Sequence, residues 1–446
     1  MGLTIGILVI ALVSEVAFTA YCLATSSHQI RLRSWIRIGM LAGFALASLV
    51  SVIWWWTFRW YLLIALLAFW AALGAWRLYR GQPAPKAFVP WRTLLGAAAR
   101  LLLIVIVLIP ALLLPQFTLP PPTGTYAVAS ATYTYTDTSR VETFTDTGAY
   151  RMVNVGCWYP LAADGTYPLV VFSHGTGGIK ISNTSTFMDL ASNGYVVCSI
   201  DHPYHSQFTI GADGKLVRMN QAYWQEYLSV ATHQVDAATK YQLTQKWLRL
   251  RAADMNFVLD TILAQANDPG AAEVYRLIDP ARVGVMGHSI GGAEGGQVAR
   301  ERDDISAVVN LDGDLDGEYV AFVDGNEVLN AQPYPVPILN IFSDDLARAL
   351  DATPNVSEVI AAEHVLRTAP HGYDVRLPGT NHFSVTDLPL VSPFFVWLMR
   401  SSVPAVGGAQ ADPYATIEQM NGIVLDFFDA YLKGVGSFSY LEGSRP

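Results

Sequence analysis

Arg282-Val-Gly-Val-Met-Gly287-His-Ser289-Ile-Gly291-Gly292-Ala-Glu-Gly-Gly296 is the stretch that decides how this chain reads. A short β-branched apolar run comes first, then Gly-x-Ser-x-Gly-Gly, then residues that continue as a helix. The pattern predicts a buried strand over 282–287, a tight turn at Ser289 and a helix over 291–300. On such a turn the serine Oγ stands clear of the sheet. The helix start behind it aims backbone N–H groups and the positive end of its dipole at the same point. Gly287 and Gly291 read as positions with no room for a side chain. The glycine spacing does not fit the Gly-x-Gly-x-x-Gly of a dinucleotide-binding turn. Ser289 is therefore the candidate nucleophile.

Working outward, 131–137 and 151–159 alternate as strands. The runs 168–173 and 195–200 have the continuous apolar character of strands buried on both faces. Between them, 186–193 reads as a helix closed by Gly194. Residues 203–246 are polar and aromatic without clear strands, and lead into an amphipathic helix over 247–266. Strands follow at 307–311, 337–342 and 373–377, and a closing helix at 415–433. Strands alternating with helices imply an α/β domain with a mainly parallel sheet over 126–446.

The partners of Ser289 are sought at the strand ends. Ser173-His174-Gly175-Thr176-Gly177-Gly178 follows the run 168–172 and reads as a turn that donates backbone N–H groups to a developing oxyanion. The N–H groups of Thr176 and Ile290 are the candidate donors, with His174 as a structural hydrogen-bonder. The base is expected on a loop after the last strand, in chain order Ser, acid, His. His382, in Pro378-Gly-Thr-Asn-His382-Phe-Ser, fits that place. His364 and His371 rank below it, His202 and His205 read as surface residues with a pocket lining as the alternative, and His288 is expected to pack beside the turn. The acid is Asp312, after 307–311, or Asp344 or Asp345, after 337–342, and the pattern does not choose between these strand ends. Asp312-Gly-Asp314-Leu-Asp316-Gly317 looks like the start of a calcium loop, but the twelfth position is Val323 rather than Glu. Asp314 and Asp316 read as a solvated turn. No metal and no organic cofactor is expected.

Composition divides the chain. Of its 28 bases and 37 acids, residues 1–125 hold nine bases and a single acid, Glu15, leaving 19 bases and 36 acids for the rest. An acidic body offers nothing to replace phosphate counterions, which argues against a nucleic-acid partner. The basic head contains four apolar runs, 3–24, 36–57, 60–79 and 94–114, each near the length that spans lipid. Glu15 is expected to face other helices, and Arg100 to snorkel to the surface. Arg31, Arg33 and Arg37 follow the first run, and Arg77, Arg80, Lys86 and Arg92 the third. These loops are expected in the cytoplasm, which sends the body outside it. A transmembrane region over 1–115, a Pro-rich linker over 116–125 and the α/β domain over 126–446 are the expected units. Cys157 and Cys198 read as two small core residues, and a disulfide between them, possible if the body lies outside the cytoplasm, is the less favoured reading.

Phe172-Ser-His-Gly-Thr-Gly, Asp189-Leu-Ala-Ser-Asn-Gly-Tyr, Gly287-His-Ser-Ile-Gly-Gly, Asn310-Leu-Asp312-Gly and Gly379-Thr-Asn-His382 together resemble the plasma-type platelet-activating-factor acetylhydrolases and the wider dienelactone-hydrolase-like group, over about 150–400. The resemblance implies an α/β-hydrolase fold and a Ser–His–Asp triad matching Ser289, His382 and Asp312, which favours Asp312 over Asp344. It implies hydrolysis of short or oxidised acyl esters of phospholipids, without calcium. Departures at 203–246 and 313–335, and the four-span head, make an ester substrate better supported than a phospholipid. Polyester, xenobiotic-ester or peptide substrates, or an inactive ligand-binding ectodomain, are the competing expectations.

Overall fold

The structure is a computed structural model that describes residues 2–50, 52–81, 87–161, 164–211, 213–353, 356–402 and 410–439. The chain forms two compact units. One is Met1–Thr118 with Leu390–Leu398, the other Leu119–Pro389 with Met399–Pro446.

The first unit is built from helices α1 (Gly2–Ala24), α2 (Ile30–Leu49), α3 (Tyr61–Arg80) and α4 (Pro90–Leu113). With the turn Phe58–Trp60 that leads into α3, all four are long and apolar enough to cross a membrane. Trp60, Leu63, Leu67, Trp70, Ile104 and Leu108 form their shared core. The expectation for the second run is corrected. The helix begins at Ile30 and ends at Leu49, so Arg31, Arg33 and Arg37 lie inside it rather than in a preceding loop. A hydropathy window skips those arginines, but arginine is a good helix former whose apolar stem packs on a helix surface. Glu15 does face other helices. Arg100, expected to reach outward, instead donates from Nε to Glu15 Oε1 at 2.7 Å. Lys86, placed in the loop after the third span, lies outside the described residues.

In the second unit eight strands make one sheet: β1 (Val128–Val141), β2 (Tyr150–Pro160), β3 (Tyr167–Ser173), β4 (Val196–Asp201), β5 (Ile278–His288), β6 (Ile305–Leu311), β7 (Ile338–Ser343) and β8 (Gly372–Leu377). Their order is β1-β2-β4-β3-β5-β6-β7-β8. β2 runs antiparallel to both neighbours, and every pair from β4 to β8 is parallel. Apolar clusters line both faces. Met255, Leu259 and Val298 cover one, and Phe187, Val424 and Phe427 the other. This is the α/β-hydrolase architecture, and the parallel strands direct their C-terminal ends, where ligands bind in such sheets, to one edge. Residues 203–246 are more ordered than expected. They hold a ribbon of Phe208–Ile210 with Leu216–Arg218 and a helix α5 (Gln221–Ala231). The amphipathic helix that follows, α6 (Ala237–Ala266), starts ten residues earlier than its periodicity suggests, because Asp236 caps it by accepting from the Thr239 N–H.

The reading of the cysteines is also corrected. Cys157 and Cys198 are directly opposed in the β2–β4 ladder and form a disulfide. Which residues face each other across a sheet is set by register, which spacing along one chain does not reveal.

Candidate active site

β5 delivers His288 to the sheet edge, and a helix, α7 (Ile290–Glu301), begins one residue beyond Ser289. Ser289 has φ 56° and ψ −128°, a sparsely populated conformation for a side chain-bearing residue. The turn is cramped as its glycines suggested. A Cβ on Gly287 would lie 2.0 Å from Gly291 O, and one on Gly291 would lie 2.2 Å from Ser173 O. The Ser289 N–H donates to Leu311 O at 2.8 Å, which fixes the turn against the end of β6.

Asp312 comes next, also at positive φ, and is 2% exposed. Its carboxylate accepts from the Ser343 N–H at 2.5 Å, from Ser343 Oγ at 2.9 Å and from His382 Nδ1 at 2.8 Å. Burial of His382 opposes a charge on the ring, but the hydrogen bond and charge of Asp312, with Asp314 adding, outweigh it and raise the imidazole pKa. His382 sits on the loop after β8, as expected. That loop is pinned where Asp344 accepts the Gly379 N–H at 2.8 Å and Asn183 Nδ2 donates to Val385 O at 2.7 Å. Asp344 thus holds the loop, while Asp312 holds the ring.

His288 closes the arrangement. Its ring lies 4.6 Å from that of His382, and its Nε2 hydrogen-bonds His382 O at 2.9 Å. Burial, and then the neighbouring His382, lower its pKa to about 3, so it stays neutral and acts as a fixed donor. On the other side, a Cβ on Gly175 would lie 3.0 Å from Ser289 Cβ, so the turn carrying Thr176 abuts the serine. Thr176 Oγ1 meets Tyr223 OH at 3.1 Å, and Ile290 supplies the first residue of α7. Each residue expected at the site, Ser289, His382, Asp312, Thr176 and Ile290, is therefore gathered at one sheet edge.

Sequence reasoning missed what lies beneath. Arg251, fully buried, donates to Glu294 at 2.9 Å, to Ser173 Oγ at 2.8 Å and to the His174 carbonyl. Ser173 Oγ also meets His202 Nε2 at 3.0 Å, and His202 Nδ1 meets Asp254 at 3.0 Å. Arg151 donates twice to Asp254, each at 2.6 Å, and once to Glu142 at 2.9 Å. Burial alone would raise the Asp254 pKa, but the Arg151 guanidinium holds it well below the usual carboxylate range. His202 and His205, read as surface residues, are 0% and 2% exposed, and His205 stacks on Tyr223 at 3.7 Å. The available signal was Glu294, a lone acid in a glycine-rich helix start that must face the core. His174, as expected, is structural: it bonds Gly175 O at 2.6 Å and Ser206 Oγ at 2.7 Å, and burial keeps it neutral.

The chain is similar to known ester hydrolases. Platelet-activating factor acetylhydrolase of Bos taurus is 27% identical over 186 residues, 39% of this chain and 40% of that protein. A probable 1-alkyl-2-acetylglycerophosphocholine esterase of Arthroderma benhamiae is 23% identical over 226 residues, 50% of this chain and 49% of that one. The chain thus matches less than half the length of either relative. A ferulic acid esterase from Streptomyces cinnamoneus shares the fold, with a TM-score of 0.56 at 23% identity over 73% of this chain and 95% of its own. Residues 148–439 match the family described as platelet-activating factor acetylhydrolase, isoform II, and the chain belongs to that family.

Proposed function

We propose that this protein is a membrane-anchored serine carboxylic-ester hydrolase, with Ser289 as nucleophile, His382 as general base and Asp312 as its orienting acid. The observation that carries the reading is the 2.8 Å Asp312–His382 hydrogen bond beside a serine held at φ 56°. Asp312 fixes the tautomer with the proton on Nδ1 and leaves Nε2 free to take the Ser289 proton. Oγ then attacks an ester carbonyl. The oxyanion rests on the N–H groups of Thr176 and Ile290, the latter at a helix start that favours negative charge. The alcohol leaves with the proton from His382. Water activated by the same imidazole releases the acid and restores Ser289.

Short-acyl or oxidised phospholipids are the proposed substrates. Membership in the family and the names of the relatives support an ester of this kind. Four apolar helices would hold the enzyme at a lipid surface. Arg31 and Arg33 at the start of α2, Arg77 and Arg80 at the end of α3 and Arg92 at the start of α4 favour a body outside the cytoplasm.

Turnover of p-nitrophenyl acetate and of a short-acyl phosphatidylcholine, with labelling by a fluorophosphonate, tests the proposal. Ser289→Ala should lose labelling and about three or more orders of magnitude in kcat. Near-normal turnover in that variant would remove the nucleophile. An unlabelled, inactive wild type would leave a ligand-binding ectodomain.

A further inference from the structure

The helices of the first unit carry a charge imbalance that their own residues cannot neutralise. Glu15 is the one acid in residues 1–125. Arg100 Nε lies 2.7 Å from its carboxylate and Arg33 3.7 Å from it. Arg37 joins them at a small cleft, about 30 Å³, lined also by Ser14, Phe18 and Trp70. Two guanidinium groups therefore share one carboxylate, and a third, that of Arg37, lines the same cleft with no carboxylate paired to it among the described residues. Two are braced on aromatic faces, Arg33 4.5 Å from the centre of Phe18 and Arg37 5.3 Å from that of Trp70. Arg33 Nε is buried with no hydrogen-bond partner among the described residues. An excess of partly buried cations is costly in an apolar helix bundle unless an anion completes it.

The position of the cluster says which anion. Arg33 and Arg37 lie three and seven residues from the start of α2. Glu15 lies nine residues before the end of α1, and Arg100 ten residues after the start of α4. At 1.5 Å per residue these are about 5, 11, 14 and 15 Å from the helix ends. Arg33 therefore lies near the headgroup level and Arg37 within an arginine side chain's reach of it, while the Glu15–Arg100 pair sits deeper, toward the middle of the hydrocarbon. The cleft has room for about one water, enough for one oxygen of an anion whose remainder stays at the mouth. Arginine's fork of donors matches phosphate geometry.

We propose that Arg33 and Arg37, backed by the Glu15–Arg100 pair, form a binding site for a phosphate-bearing anion, supplied by the headgroup of an anionic phospholipid. The site rests on the reading of α1–α4 as membrane spans. It would seat lipid independently of the hydrolytic centre.

The test is thermal unfolding of the full chain in neutral detergent, titrated with phosphatidylglycerol or with inorganic phosphate. Phosphatidylglycerol should raise Tm saturably by about 2–4 °C. The double variant Arg33→Gln/Arg37→Gln should lose the shift. Glu15→Gln, which removes the competing carboxylate, should reach it at lower lipid concentration. An equal shift from inorganic phosphate alone would keep the site and reassign its ligand to the free ion. No shift from either probe, or the same shift in the double variant, overturns the proposal. If the double variant does not fold, the opposite responses expected of Arg37→Gln and Glu15→Gln decide the matter alone. Alkaline carbonate extraction of membranes checks the spans separately, so loss of anchoring and loss of the site remain distinguishable.

Discussion

Replacing Asp312 with Asn tests the chemistry most directly, because Asp344, at the end of the neighbouring strand β7, provides an internal control. Asp312 is 2% exposed and bonds His382 Nδ1 at 2.8 Å. An asparagine there can still accept from the Ser343 N–H with its one oxygen, but its amide nitrogen then replaces the carboxylate oxygen that Ser343 Oγ and His382 Nδ1 share, so no charged acceptor faces the ring. The imidazole loses both the bias that places its proton on Nδ1 and the partner for its cationic form. Losing that orientation in a Ser–His–Asp site costs about 10⁴-fold in kcat, or about 5.5 kcal/mol of transition-state stabilisation. Asp344 touches only the loop, accepting the Gly379 N–H at 2.8 Å while paired with exposed Arg348. Its asparagine can keep the first bond, and an exposed ion pair contributes about 0–1 kcal/mol. Asp344→Asn should therefore stay within about tenfold of wild type. The assay is kcat and kcat/KM on p-nitrophenyl acetate for both variants, with Tm recorded to confirm folding. A folded Asp312→Asn enzyme within tenfold of wild type, or a greater loss in Asp344→Asn, would refute the assignment.

Other perturbations follow from the same contacts. The His382 pKa is raised, and the base works only when neutral, so the ascending limb of kcat/KM against pH should have its midpoint above about 6.5. A midpoint below that value would contradict the Asp312 contact. The same raised pKa means that protonated His382 contributes stability at low pH, which is lost as pH rises through it. Arg251→Met strips the buried Glu294 of its 2.9 Å partner and frees the His174 carbonyl. Chemical denaturation should show a loss of about 3–5 kcal/mol, and a neutral result would mean that the network does not hold the turn carrying Thr176. Cys157→Ala/Cys198→Ala opens a cross-link between residues 41 apart. It should lower stability in urea by about 4 kcal/mol on the chain-entropy account. A mass unchanged by reduction of the wild type would show that the two thiols are free.

How much of this was legible in one dimension can be traced residue by residue. Gly287 and Gly291 announced the turn because the steric demand there is local, and both would clash within 2.2 Å if they carried a Cβ. The continuous apolar runs announced β3 to β7 because burial on both faces leaves no polar phase to interrupt them. Chain order alone pointed to His382, whose ring the structure sets on Asp312. Asp312 and Asp344 could not be separated by pattern, since each follows a strand, and only resemblance favoured one.

Folding the sheet decided the rest. Register put Cys157 opposite Cys198, and strand order put the end of β6, rather than β7, under the His382 ring. Packing turned His202, Arg251 and Glu294 into a buried support, and helix contacts set Arg33 and Arg100 on Glu15. Sequence by itself determined the local matters, periodicity, turn sterics and the division of charge between head and body, because those depend on neighbours along the chain. Tertiary structure decided pairing, since charges, thiols and histidines find partners through space, across separations such as the 70 residues between Asp312 and His382.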